Sequence, residues 1–338
     1  MNDNEHAALY WNPDDNGGVR CGLCPHRCLI AENSSGICGA RANRGGALVA
    51  SSYGAVSSIA LDPIEKKPLY LFHPGKRILS IGGFGCNLRC RFCQNHEIST
   101  VRCDAAPCDT APCDANPCDA APSHQTPRTP QTPRTPQTPQ TPQTPQTPRT
   151  PLQHQPHRCM TPQDVAALAV RTVPDGNIGV AYTYNEPLIG YEFLCDCAAL
   201  VREAGLRNVI VTNGYINKEP LEALLPLIDA MNIDLKGFTG SFYQKVGGAL
   251  EPVKEAIELA AGRCHVEVTT LVIPGENEAD IEPIAKWLSS LDPGIPLHLS
   301  RFFPRHKYQD KAPTPRETII RLGEIAKRHL KNVFAGNM

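Results

Sequence analysis

Six apolar runs of strand length, at 77–83, 178–182, 208–212, 230–235, 265–272 and 296–301, alternate with stretches of helical period. This alternation limits the fold more than any other feature of the chain. Strand, helix and strand repeated in one direction call for parallel pairing through right-handed crossovers. Six units are too few for the closed eight-stranded barrel, so an open partial barrel or a doubly wound sheet follows. Both place an active site at the carboxyl ends of the strands. Distinctive residues stand there in every case: "GFGCNLRCRFCQN" after the first run, then "TYNEP", "TNG", "DLK", "IPGENE" and "RFFPRHK". The helix beginning at "TPQD" has Thr161 as N-cap, Pro162 at the first helical position and Asp164 three residues after the cap.

Residues 101–158 interrupt the rhythm. A CDxxP pentapeptide repeat gives way to a Gln-Thr-Pro tripeptide repeat with almost no aliphatic residue. Such a segment buries too little apolar surface to offset its ordering entropy and is expected to be a disordered, polyproline-like insertion. Cys103, Cys108, Cys113 and Cys118 each open one pentapeptide, so repeat expansion accounts for their even spacing. The expected organisation is a Cys-rich N-terminal region, 1–75, and an α/β core, 76–338, interrupted at 101–158.

A formal net charge of -1 offers no basic face for nucleic acid or an anionic membrane. The first residues are polar and acidic, unlike a signal peptide or a membrane span, and a cytoplasmic location is expected. In that compartment thiols stay reduced, so 15 cysteines point to metal, cluster or redox chemistry rather than to a disulfide framework.

Two cysteine sets have metal-ligand spacing. Cys86, Cys90 and Cys93 form C-x3-C-x2-C directly after the first strand, a density of soft thiolates suited to an iron–sulfur cluster or zinc. Three ligands leave one iron of a four-iron cluster open to another molecule. Cys21, Cys24, Cys28 and Cys38 form C-x2-C-x3-C-x9-C, enough to wrap one metal centre, either zinc or an additional iron–sulfur centre. Cys159, Cys195, Cys197 and Cys264 read as core or surface thiols. The charges of "DPIEKKPLY", 62–70, are expected to face water.

"CNLRCRFCQN" resembles the signature of the radical SAM superfamily. Together with "CGLCPHRC", "GICGARANRGG", "DPIEKKPLYLFHPG", "YTYNEP", "NIDLKGF" and "HLSRFFPRHK", it resembles the AmmeMemoRadiSam-system branch, relatives of pyruvate formate-lyase activating enzyme. The resemblance implies an open partial (β/α)6 barrel of radical SAM type and an oxidoreductase. It also implies a [4Fe-4S] cluster on Cys86, Cys90 and Cys93 and S-adenosylmethionine cleaved to a 5′-deoxyadenosyl radical. Phe92 would then lie near the adenine or anchor the loop. Glu186 stands where activating enzymes hold the amino group of S-adenosylmethionine, with capping of the following helix as its other role. Asp234 and Lys236 match an Asp-x-Lys that contacts the cofactor, or form a simple ion pair. His306 lies near a histidine of the sixth-strand motif. Implied partners are an electron donor such as flavodoxin or ferredoxin, and a glycyl-radical enzyme or Memo/AMMECR1-family proteins. A different class of function, a non-catalytic iron–sulfur or zinc protein that carries electrons or serves as an assembly platform, stays open at this point.

Overall fold

The computed structural model describes residues 6–15, 17–103 and 158–338; most of the repeat insertion, and with it the expectation of disorder, lies outside them. The main sheet has eight strands: β1 (Ser58–Pro63), β2 (Arg77–Gly82), β3 (Asn177–Tyr182), β4 (Arg207–Thr212), β5 (Ala230–Asp234), β6 (His265–Val272), β7 (Leu297–Arg301) and β8 (Val333–Gly336). Their order across the sheet is their order in the chain. A doubly wound sheet reverses its strand order at a switch point, whereas a barrel adds each strand beside the last. The sequential order therefore selects the open partial barrel. β2 to β8 run parallel, and β1 pairs antiparallel with β2 from Ser58↔Gly82 to Pro63↔Arg77. The six expected strands form the centre, extended by one strand at each edge.

Helices pack on one face. Tyr191–Glu203 and Leu250–Ala261 bury Leu194, Ala198 and Val201, and Val253 and Ile257, in the same apolar cluster as Leu79, Val180 and Ile210 of the strands. The helix Pro162–Arg171 starts as the sequence implies: Asp164 N donates to Thr161 Oγ1 at 3.1 Å, and Thr161 N donates back to the Asp164 carboxylate at 2.8 Å. Both flanks of the insertion are tied to the N-terminal region. Cys103 N donates to Gly39 O, and Arg158–Cys159 pairs with Ala55–Val56. Cys159 is in a disulfide, unlike the free thiol that its sequence context suggests.

The opposite face of the sheet receives the segment after β1. Ile64 and Leu69 form a second apolar cluster with Ile78, Ala181, Val209 and Ala230. Alternate residues of those strands serve the first cluster, as the two-residue period of a strand requires. This placement corrects, for Asp62 and Lys67, the expectation that the charges of 62–70 face water, whereas Lys66 is exposed. Asp62 and Lys67 are 8% and 2% exposed, and Lys67 Nζ lies 2.9 Å from Asp62 Oδ2, which also accepts from the Tyr184 hydroxyl at 2.7 Å. Pairing removes the penalty that would otherwise keep such charges at the surface.

Glu267 of β6 fastens the same segment. Its fully buried carboxylate accepts from Tyr70 N at 3.0 Å and Leu71 N at 2.8 Å, and the Nε2 atoms of His265 and His298 lie 2.9 and 2.6 Å away. Burial alone would raise its pKa, but these hydrogen bonds outweigh burial and lower it from 4.5 to about 2. A carboxyl depressed in the folded state contributes stability above its unfolded pKa and loses it as pH falls through the folded value. Stability is therefore expected to drop by roughly 3 kcal/mol between about pH 5 and pH 2 from this group. Urea titrations at stepped pH should show that loss in the wild type and a flatter acid limb in Glu267→Gln. Equal limbs would assign acid sensitivity to other groups.

Candidate active site

The cysteine loop and the five motifs named with it follow the carboxyl ends of β2 to β7. After β2 the chain enters the cysteine loop through Gly85, whose φ is +83°. A Cβ there would collide with the Cys38 carbonyl oxygen, so only glycine lets the N-terminal region pack against the loop. Leu88 N donates to Cys86 Sγ at 3.3 Å, and Cys93 N donates to Cys90 O at 3.2 Å. Phe92, 5% exposed, anchors the loop between Phe242 and Tyr308, with ring centroids 6.3 and 6.0 Å away.

The loop is clamped by the segment after β3. Asn185 accepts from Gly83 N at 2.9 Å and donates to Phe84 O and Gly85 O at 3.1 and 3.2 Å. Tyr184, held at φ +72°, accepts at its carbonyl from Asn95 Nδ2 at 2.6 Å. Amides supply both donor and acceptor, which is what is needed to staple two irregular backbones together.

Glu186 is 2% exposed and joins the ends of β3 and β4. Its Oε1 accepts from Leu188 N at 3.1 Å and from the Thr212 hydroxyl at 2.6 Å, while Oε2 accepts from Asn213 N at 2.7 Å. Helix-capping, one of its two expected roles, is thus present in the Leu188 contact. Burial pushes the Glu186 carboxyl up to about 7, against the pull of those donors and of the Lys236 cation.

Lys236 and Asp234 leave β5 as an ion pair, Nζ to Oδ2 2.6 Å, and Tyr243 OH accepts from Lys236 N at 3.2 Å. The cation faces the cysteine loop and interacts electrostatically with Cys90 and Cys93. His306 stands apart from this group. It follows β7, adopts φ +53° and stacks on His96 of the loop, with centroids 4.5 Å apart.

Asn213 is the central residue of the strand-end "TNG". Its Nδ2 points at Cys86 Sγ, 3.6 Å away, and donates to Asn87 Oδ1 at 2.9 Å. A neutral amide at a strand end gives no stronger signal in sequence than any turn residue does.

The three loop thiols lie within electrostatic reach of one another, Cys86 of both Cys90 and Cys93, and Cys90 of Cys93. Burial pushes the Cys90 thiol up to about 11, despite Lys236, and also raises Cys86 well above the ordinary thiol value. Uncompensated thiolates are unfavourable here, and a bound cation centre would supply the compensation. Among the described residues no three His, Cys, Asp or Glu side chains converge tightly enough to hold one metal ion. A four-iron cluster takes each thiolate on a separate iron and does not need that convergence. Three soft donors, N–H groups aimed at sulfur and an adjacent lysine fit such a cluster. Beside the loop, Cys21, Cys24, Cys28 and Cys38 line a pocket of their own.

Residues 80–288 match the family model described as the Radical SAM superfamily. An uncharacterized protein of Methanocaldococcus jannaschii is 38% identical over 98% of this chain and 85% of its own length. A second protein of that organism, provisionally named a glycyl-radical enzyme activating enzyme, is 31% identical over 44% of this chain and 66% of its own. Among solved structures, a domain of pyruvate-formate lyase-activating enzyme from Bacteroides vulgatus aligns with 23% identity and TM-score 0.41, covering 47% of this chain and 99% of that domain. Members of the matched superfamily carry a [4Fe-4S] cluster and cleave S-adenosylmethionine, and the three-thiol loop lies inside the matched span. With more than half its length matched and its cysteine loop at the carboxyl end of the first parallel strand, the chain belongs to the radical SAM superfamily.

Proposed function

We propose that Cys86, Cys90 and Cys93 anchor three irons of a [4Fe-4S] cluster, that S-adenosylmethionine completes the fourth, and that the enzyme activates a protein partner of the glycyl-radical class. The observation that carries the first part is the loop itself: three partly buried thiols, within electrostatic reach of one another and of a lysine, at the carboxyl ends of the strands. When bound, the cluster supplies one electron to the sulfonium, whose S–C5′ bond breaks to give methionine and the 5′-deoxyadenosyl radical.

The chain's own residues bind, orient and exclude water. Lys236 offers a cation for the carboxylate of S-adenosylmethionine, and its pairing with Asp234 fixes the ammonium in place. Glu186 has both lone-pair directions of Oε1 engaged and one acceptor direction of Oε2 unused, suited to an amino group. Phe92 holds the loop rigid from beneath. His306 stacks on His96 of the loop, and burial, with His96 and Lys307 nearby, lowers its pKa. The relative provisionally named an activating enzyme supports the choice of partner. A low-potential flavodoxin or ferredoxin is the proposed electron source.

The test is anaerobic reconstitution with iron and sulfide, then S-adenosylmethionine and dithionite, with 5′-deoxyadenosine measured by chromatography. Product is expected; its absence from cluster-loaded protein would reject radical chemistry. A glycine-centred spin resonance signal on a co-purifying partner would support activation, and its absence from every partner would reject that part alone.

Asn213→Ala is expected to lower the reduction potential of the cluster, because hydrogen bonds to ligand sulfur stabilise the reduced state. A redox titration at unchanged iron content should show the shift together with slower 5′-deoxyadenosine formation. An unchanged potential would leave Asn213 a purely structural role.

A further inference from the structure

The N-terminal cysteines are separate from the loop in sequence and take no part in the chemistry above, yet the fold gathers them. Cys21, Cys24, Cys28 and Cys38 line one pocket with apolar walls that include Ile30 and Ile189. Each thiol interacts electrostatically with at least two of the others. Cys21 and Cys24 are buried and Cys28 and Cys38 partly so, and all four are free thiols. Neutral thiols can share an apolar pocket, but four of them gathered in one place form a ready set of soft ligands, which a cation would take up as thiolates with release of their protons.

An independent observation comes from Arg41. This side chain is 1% exposed, lines the same pocket and interacts electrostatically with Cys21 and Cys38. Its Nη1 is taken by Glu192 and its Nη2 by the Leu9 carbonyl, but its Nε is buried with no hydrogen-bond partner. A guanidinium N–H left unpaired in the interior is costly, and a metal-bound thiolate would accept from it.

We infer that Cys21, Cys24, Cys28 and Cys38 form a second metal centre, a four-thiolate site for a soft metal, with Arg41 as the cation that partly neutralises it. Zinc and a four-iron cluster share this chemistry, since either carries net negative charge once four thiolates close around it. No three of these thiols converge on one point as they stand, so zinc requires rotation of the side chains, whereas a cluster takes each sulfur on its own iron. The centre adjoins the first site. The Asn87 side chain hydrogen-bonds the Cys24 thiol and accepts from Asn213, whose Nδ2 also points at Cys86 Sγ.

The experiment uses the full chain carrying Cys86→Ala, Cys90→Ala and Cys93→Ala together, which removes the loop site. It is loaded anaerobically with zinc alone in one arm and with ferrous iron plus sulfide in the other. About one zinc, or about four irons with matching sulfide, should remain per chain after desalting, and further change of Cys24→Ala and Cys28→Ala should remove them. A folded triple variant holding no stoichiometric metal in either arm would overturn the inference. Should that variant not fold, the wild type decides. Metal beyond one four-iron cluster, lost selectively in Cys24→Ala/Cys28→Ala, supports the second centre; metal for one cluster only, unchanged by those substitutions, rejects it.

Discussion

Cys90→Ala is expected to abolish 5′-deoxyadenosine formation and to strip most of the iron from the loop. Two thiolates cannot hold three irons, and the remaining sites would go to solvent or to scrambled ligands. Loss of an outer hydrogen-bond partner typically lowers metal affinity or activity about 10–100-fold, so loss of a ligand should exceed that range. Cys264→Ala is the matched control: this thiol is partly buried beside β6, remote from the loop motif, and its removal should leave iron content and product yield near wild type. Iron analysis, the visible absorption of the cluster and chromatography of the nucleoside read the two variants side by side. Retained activity in Cys90→Ala would mean that another side chain holds the iron.

Glu192→Gln should give the largest loss of stability. Glu192 and Arg41 are 4% and 1% exposed, and their charged atoms lie 3.1 Å apart. Glu192 Oε1 also accepts from Leu9 N at 2.8 Å, so one carboxylate secures two separate stretches of the N-terminal region to the helix Tyr191–Glu203. In the metal-free chain, removing its charge leaves the Arg41 guanidinium uncompensated in the interior, and breaking a buried pair in this way costs about 3–5 kcal/mol. The exposed pair Lys254–Glu251 provides the contrast, because a solvent-screened pair of this kind contributes about 0–1 kcal/mol. Denaturant titrations of Glu192→Gln and Glu251→Gln should differ by several-fold in the stability lost. Equal, small losses would show that water reaches the Arg41 site.

Much of this architecture is legible in the chain because each central strand is an apolar run and each crossover helix has an amphipathic period. The Thr161 cap and the position of the cysteine loop follow from local chemistry alone. β1 and the segment that follows it are not legible. Asp62 and Lys67 look like surface residues until a strand register brings them together with Tyr184, and no periodicity encodes that meeting. β8 escapes notice because four residues, "VFAG", carry no pattern. The sequential strand order separates a partial barrel from a doubly wound sheet only in three dimensions.

The candidate site divides along the same line. Cysteines at metal spacing, Glu186, Asp234 and Lys236 draw attention because charged or ligating residues at strand ends are expensive to keep without a use. Asn87, Asn185 and Asn213, which staple the loop and reach its sulfur, resemble ordinary turn residues until their partners are seen. Arg41 is anonymous in sequence among several arginines, and only its burial and its unpaired Nε distinguish it.

Electron paramagnetic resonance of the reduced loop cluster, recorded with and without S-adenosylmethionine, addresses the three-thiol site most directly. An iron left open by Cys86, Cys90 and Cys93 should bind the added molecule and change the g-values of the signal, while Cys24→Ala/Cys28→Ala protein should respond in the same way. A signal from that loop left unchanged by saturating S-adenosylmethionine would contradict the account.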